Sequence, residues 1–110
     1  MATFQLVNQP VASTYSSTAV APDLTPDRYG IFVVMHSGNR LSSSSSVVVT
    51  LQGSLDSGAS WFDIETLRPS DTDYVNATTS SWCRIVPLLN QVRVSISNGN
   101  GLTYTSWVTE

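Results

Sequence analysis

The sequence has no lysine, one cysteine, one histidine and few charged residues of either sign. A single cysteine, Cys83, excludes an internal disulfide, so packing or association with other chains must stabilise the fold. The five arginines are scattered and the net charge is −3, which argues against nucleic acid as a partner because phosphate binding needs clustered Lys and Arg. No apolar run approaches the ~20 residues of a membrane helix, so no membrane partner is expected.

The N-terminal residues 1–5 lack the positive region and apolar core of a signal peptide, which predicts synthesis in a cytoplasm. The polar residues are mainly Ser and Thr, which suit turns and exposed strand positions and disfavour helix interiors. Lysine is depleted at protein interfaces. The missing lysine therefore favours burial in a larger assembly over a surface that is simply rich in hydroxyls.

A chain of 110 residues has room for one domain. Residues 1–28 carry Pro10, Pro22 and Pro26, each of which removes an amide donor and favours extended backbone. They are expected to form an extended N-terminal arm or an edge strand, which either lies on its own domain or reaches a neighbouring subunit. Residues 29–110 are expected to form a single β-sandwich domain.

The patterns after residue 28 are typical of strands. Residues 29–35 form a continuous apolar run that is too short for a helix, which predicts a strand covered on both faces or at a subunit contact. Residues 92–97 and 102–108 alternate between apolar and polar positions. About eight short strands without a convincing helix predict an all-β fold, an antiparallel β-sandwich of the Ig-like or jelly-roll-like kind, with a small β-barrel as the alternative.

Residues 47–67 predict two strands joined by a turn. Val47, Val49 and Leu51 are expected on the inner face of the first strand, whereas alternation in the second strand predicts Asp63 and Glu65 together on one face.

The turn between these strands contains Ser54, Asp56, Gly58 and Trp61 at the spacing of an Asp-box, the hairpin motif of sialidases and other β-proteins. Short Ser and Asp side chains accept hydrogen bonds from turn amides, Gly supplies a positive φ, and Trp can cover the turn. We interpret these four residues as a turn staple. A complete sialidase-like propeller is excluded by length, since it needs several blades of ~40 residues.

Residues with catalytic chemistry do not form a recognisable set. His36 is the only histidine and no Gly-x-Ser-x-Gly turn is present, so a hydrolase triad is not predicted. Cys83 in a strand is expected to be a small buried hydrophobe. Asp71 and Asp73 lack the further ligands of a calcium loop. We predict a protein that is not an enzyme, with no catalytic residues, no metal and no cofactor.

The aromatic residues suggest a competing function. Aromatic rings and hydroxyls suit carbohydrate, which makes a carbohydrate-binding module an alternative, although alternating strands also need such residues for packing. The residues concerned are Trp61, Trp82, Trp107, Tyr15, Tyr29, Tyr74 and Tyr104.

The N-terminal extended segment, the apolar strand at residues 31–35, the hairpin at 47–61 and the closing hairpins after Cys83 together resemble the small all-β structural proteins of tailed bacteriophage virions, of the capsid cement or decoration type. The resemblance implies a non-enzymatic homo-oligomer that binds the major capsid protein. Its location would be the virion, on the outer capsid surface, after synthesis in the host cytoplasm. A tail or neck β-sandwich component is an alternative. The candidate interface residues are Phe4, Leu6, Tyr15, Val20, Ile31, Val33 and Met35.

Overall fold

The computed structural model describes residues 3–16, 29–38, 41–56, 58–75 and 80–109. The candidate interface residue Val20 lies outside these ranges. The described part contains eight strands and one helical turn: β1 (Thr3–Val11), β2 (Tyr15–Ser16), β3 (Tyr29–His36), β4 (Val48–Ser54), β5 (Phe62–Leu67), α1 (Thr72–Val75), β6 (Ser81–Pro87), β7 (Gln91–Ser97) and β8 (Leu102–Thr109).

The strands form two four-stranded antiparallel sheets packed as a sandwich. Sheet A has the order β1-β8-β3-β6 and sheet B the order β2-β7-β4-β5. The pairs β4–β5, β3–β6, β2–β7 and β1–β8 are nested one outside the other, so the chain is one long hairpin rolled into two layers. This is the topology of a jelly roll. The predicted eight-stranded antiparallel sandwich is confirmed, and the sheets do not close into a barrel.

The core lies between the two sheets and follows the alternation in the sequence. Val92, Val94 and Ile96 of β7 are completely buried, and so are Val47, Val49 and Leu51 before and within β4, as predicted. The other large, fully buried side chains include Phe32, Val34, Leu67, Tyr74, Trp82, Val86, Leu88 and Tyr104. Since each such side chain contributes roughly 1.5–3 kcal/mol of transfer free energy, this layer is the main source of stability.

Two bulges interrupt the regular pairing. In β1 the register shifts at Leu6, and in β5 it shifts at Ile64, where Gln52 pairs with Asp63 but Leu51 pairs with Glu65. Paired residues share a face, and Leu51 is buried. The bulge therefore turns Glu65 toward the inner side, away from Asp63. The expectation that Asp63 and Glu65 share a face was wrong because alternation in a sequence does not reveal an inserted residue.

The β4–β5 turn is held by its own short side chains. The buried Ser54 hydroxyl donates to Asp56 Oδ1 (2.8 Å) and accepts from the Gly58 amide (2.9 Å). The same Asp56 oxygen accepts from the Ser60 amide (2.8 Å). These bonds to Ser60 and Ser54 hold the pKa of Asp56 below its usual value. Gly58 has a φ of 92°, the left-handed region that favours glycine.

Trp61 lies over this turn and extends onto the outer face of sheet B. A Cβ at Gly58 would lie 3.6 Å from the Trp61 ring. The guanidinium of Arg93 is 4.1 Å from the ring centroid, a cation–π contact. Arg93 also donates to Gln52 (2.8 Å), which in turn donates to Asp63 (3.0 Å). The turn is therefore connected through Trp61 to the polar surface of sheet B.

Removing the Ser54 hydroxyl tests how much the turn contributes. We expect Ser54→Ala to lower the free energy of unfolding by about 1–3 kcal/mol, because it leaves the Gly58 amide without its acceptor at a buried site. Urea denaturation measures this. Ser95→Ala, in the outward register of β7, is the matched control and should change stability by less than about 0.5 kcal/mol. Equal effects of the two substitutions would contradict the role of Ser54.

An arginine joins the two sheets at one open side of the sandwich. Arg84 of β6 donates to Glu65 of β5 (3.0 Å), to Asp71 (3.0 Å) and, through two nitrogens, to Asp73 (2.7 and 2.8 Å). The Arg84 side chain is 24% exposed. The hydrogen bonds from Arg84 are the largest cause of the lowered pKa of Asp73. The cluster fixes the loop between β5 and β6 to the edges of both sheets.

The sign of the Asp73 shift sets the pH dependence of this cluster. Because the folded pKa is below the ordinary value of 3.8, the stabilisation is complete above that value and is lost as the pH falls through the folded pKa. We expect Arg84→Met to cost about 1 kcal/mol near neutral pH, since the pairs are partly exposed, and to flatten the acid limb of the stability profile.

Denaturation with urea between neutral pH and the acid limb measures both effects. Arg93→Met is the control, because it removes an equal charge that contacts Gln52 and Trp61 rather than a carboxylate. An unchanged acid limb in Arg84→Met would show that the cluster does not carry the pH dependence.

Candidate functional site

The outer face of sheet A consists of the residues that point away from the core in four adjacent strands. The pairing registers place them in cross-strand rows. They are Thr3, Gln5, Asn8 and Pro10 of β1, Thr103, Thr105, Trp107 and Thr109 of β8, Tyr29, Ile31, Val33 and Met35 of β3, and Ser81, Cys83, Ile85 and Pro87 of β6.

None of these sixteen residues is Asp, Glu, Lys, Arg or His. Within the described ranges, the Asp, Glu, Arg and His side chains lie on the outer face of sheet B, on the inner side of the strands, or in the β4–β5 and β5–β6 connections. A partner that covers this face would not have to desolvate a charged side chain. Depletion of charged residues is typical of the core of a protein–protein interface.

The half of this face formed by β3 and β6 is apolar. Ile31 lies opposite Ile85, and Val33 lies between Cys83 and Trp107. Ile85 is 75% exposed, Ile31 47% and Met35 44%. Tyr29, at the start of β3, is 70% exposed. Four of the six exposed large hydrophobic residues in the described ranges thus share one face, which is typical of an interaction surface rather than of scattered surface residues.

The candidate interface residues occupy different environments. Ile31, Val33 and Met35 lie together on the outer face of sheet A. Leu6 is buried in the core at 5% exposure, and Phe4 and Tyr15 pack against that core while partly exposed.

Ile85 of β6 joins this surface but was not among the residues singled out from the sequence. Its strand has apolar residues on both faces. That pattern indicates that both faces of β6 make apolar contacts, but alternation alone does not show which residues lie on the outer face.

His36 belongs to a buried aromatic cluster at the end of β3. Its Nδ1 donates to the Ser37 carbonyl (2.8 Å), so Nε2 is the acceptor and the Tyr74 hydroxyl donates to it (2.8 Å). The Tyr74 oxygen also accepts from the Leu41 amide (2.7 Å). Trp82 stacks on Tyr74 with centroids 4.3 Å apart. His36 is the last residue of β3 and only 8% exposed.

An open depression of about 330 Å³ adjoins this cluster and is lined by Met35, His36, Ser80 and Ser81. Both ring nitrogens of His36 are already engaged with Tyr74 and Ser37, so neither is directed at the two serines. Among the described residues, no group of three or more His, Cys, Asp or Glu side chains is placed to hold a metal ion.

The aromatic residues that suggested carbohydrate binding do not share a surface. Trp82, Tyr74 and Tyr104 are buried in the core. Burial, together with the neighbouring Tyr74, raises the pKa of Tyr104 to about 12. Trp61 and Trp107 are partly exposed but lie on the outer faces of opposite sheets. These seven residues therefore do not form one continuous platform.

Comparison of the chain with protein-family models, with curated proteins and with solved structures finds no match. Within the described ranges, no helix has the length and apolar character needed to cross a membrane.

Substitutions of neighbouring residues in β3 test the division between outer face and core. We expect Ile31→Thr to change the free energy of unfolding by less than about 0.5 kcal/mol, because the side chain is about half exposed and lies outside the core. Val34→Thr should cost about 1–3 kcal/mol, because it buries a hydroxyl in an apolar core. Urea denaturation of both variants measures the difference. A large loss for Ile31→Thr would show that Ile31 packs against another part of the chain.

Proposed function

We propose that this protein is a non-enzymatic structural component of a bacteriophage virion, a capsid cement or decoration protein that binds the outer shell through the outer face of sheet A. The observation that carries the proposal is the composition of that face, which has sixteen positions, none of them Asp, Glu, Lys, Arg or His, and a group of exposed apolar residues on β3 and β6. Exposure of these apolar side chains to water is unfavourable, so a partner that covers the face stabilises the folded chain.

The physical task of a cement protein fits this surface. A decoration protein stabilises a shell by mass action, because it binds the assembled state and adds buried area across joints between subunits. Apolar contacts on a regular sheet give a rigid, repeated attachment that does not depend on ionic strength. The outer face of sheet A is part of a sandwich with principal extents of 36 × 24 × 19 Å.

The fold supports the proposal but does not decide it. Jelly rolls occur in viral capsid domains and also in lectins, and a fold by itself does not define a function. The polar character of sheet B, with Thr50, Gln52, Ser95 and Ser97 in outward register, leaves a water-compatible surface on the opposite side. A protein with one apolar and one hydroxyl-rich face is suited to lie on a shell with the second face in solvent.

Copy number tests the proposed location. In purified particles, quantitative mass spectrometry should find this chain at hundreds of copies, near one per major capsid protein. A few to a few tens of copies would instead place it in the neck or tail. Its absence from particles would overturn the virion proposal and return attention to Trp61 and Trp107 as glycan contacts.

Charge substitutions test the proposed surface. We expect Ile31→Lys combined with Met35→Lys to abolish binding of the purified protein to particles, because two ammonium groups would be desolvated in the contact. Co-sedimentation with particles measures binding. Thr66→Lys combined with Ser97→Lys adds the same charge to the outer face of sheet B, on two strands that are not adjacent, and should leave binding intact. Loss of binding in the control alone would assign the contact to sheet B.

A further inference from the structure

The outer edge of β6 exposes unpaired backbone groups. The His36 amide donates to the Ser80 carbonyl (3.1 Å), which makes Met35 and Ser81 a non-hydrogen-bonded pair of the β3–β6 ladder. Hydrogen-bonded and non-hydrogen-bonded pairs alternate along an antiparallel ladder, so the residues of β6 whose backbone groups bond to β3 are Trp82, Arg84 and Val86. The N–H and C=O groups of Cys83 and Ile85 point away from β3, and no described strand lies on that side.

Pro87 agrees with this assignment. It is opposite Tyr29, a position whose amide would also point away from β3. A proline lacks that donor, so it fits there without a lost hydrogen bond in sheet A. The outward-pointing positions Cys83, Ile85 and Pro87 thus all fit the same pairing between β6 and β3.

The other sheet edges carry features that block strand addition. β1 has a bulge at Leu6 and an internal Pro10. β5 has a bulge at Ile64 and carries Asp63 and Glu65, and β2 has only two residues. Bulges, prolines, charges and short length are the usual ways in which an edge strand avoids pairing with another chain.

β6 has fewer of these features. Its seven residues pair with β3 without a register shift, and its only proline is the last residue. An inward-pointing charge can also protect an edge. Here that charge is Arg84, which is already bonded to three carboxylates of its own chain, so strand pairing would not bury it as a lone ion.

We propose that β6 pairs antiparallel with β6 of a second copy, so that two A sheets join into one eight-stranded sheet across a two-fold axis. A second copy supplies the partner that the edge needs, a strand of equal length with the same unpaired backbone groups, whose one charge is already paired within its own chain. A two-fold arrangement satisfies both copies at once. The apolar halves of the two outer faces then lie side by side and form one larger surface.

The register follows from Arg84 and Pro87. An axis at Arg84 would place the two arginines directly opposite each other, with Cα atoms about 4.5 Å apart. An axis at Ile85 would place Pro87 opposite Cys83 in a hydrogen-bonded pair for which proline has no amide. An axis at Cys83 avoids both problems and makes the two Cys83 residues a hydrogen-bonded pair about 5.5 Å apart. That separation lies within the Cα range of a disulfide, roughly 4.4–6.8 Å. Cys83 was expected to be buried, but it lies on the outer face of an edge strand and is exposed and unpaired in the single chain, so it can report on the contact.

Sedimentation equilibrium of the purified full chain measures the association. The expected mass is twice 11.9 kDa. Ile85→Pro should return it to that of one chain while the far-ultraviolet circular dichroism stays that of a β-protein, because the amide it removes points away from the sheet. Gln5→Pro is the matched control: it removes an outward-pointing amide from β1, the opposite edge of sheet A, and should leave the dimer intact.

Oxidation gives a second, independent readout. With diamide, which takes up two electrons and two protons from two thiols, the wild type should form a disulfide-linked dimer that Ile85→Pro forms much more slowly. A single-chain mass for the wild type at all concentrations would overturn the proposal. So would a dimer that survives Ile85→Pro but is lost in Ile31→Lys, since it would pack through outer faces. Neither measurement involves particles, so the result is independent of capsid binding.

Discussion

The β4–β5 hairpin is the constraint on which the rest of the structure depends. Its turn fixes the pairing of Gly53 with Phe62. The other three strand pairs are nested around this hairpin, so their positions in the two sheets follow from it. Ser54 and Asp56 hold that turn with hydrogen bonds within a few residues of sequence. A local cluster of three short hydrogen bonds thus sets the register of a chain whose other contacts are almost all distant.

Much of the sandwich could be predicted from the sequence, since the information is local. Alternation identified the buried residues of β7 and the hairpin chemistry located the β4–β5 turn. The sequence did not show that β1 pairs with β8, or that a bulge turns Glu65 toward Arg84, because both depend on residues far apart in the chain. Of the candidate surface, Ile31, Val33 and Met35 were recognisable as one apolar strand. Ile85 joins them only through the β3–β6 register.

The two sides of the molecule differ in the interactions they can make. Sheet B presents hydroxyls, Arg93 and Asp63, and it keeps its ionic contacts within the chain. Sheet A presents a face without charge and, at β6, an edge without a bulge. Both features of sheet A favour contact with protein, through side chains at the face and through backbone groups at the edge. The tryptophans are divided between these surfaces and the core, so each has a different role.

The nested pairing also bears on how the chain folds. Closing the terminal pair, where Thr3 and Thr109 hydroxyls lie 3.3 Å apart across 106 residues, costs about 4 kcal/mol of loop entropy in an unfolded chain, against about 2 kcal/mol for the nine-residue separation of Gly53 and Phe62. Each inner pair that forms shortens the loop that the next must close. Loop entropy therefore favours zipping from the centre of the sequence outward, with the two termini joining last, and such a high contact order predicts slow folding.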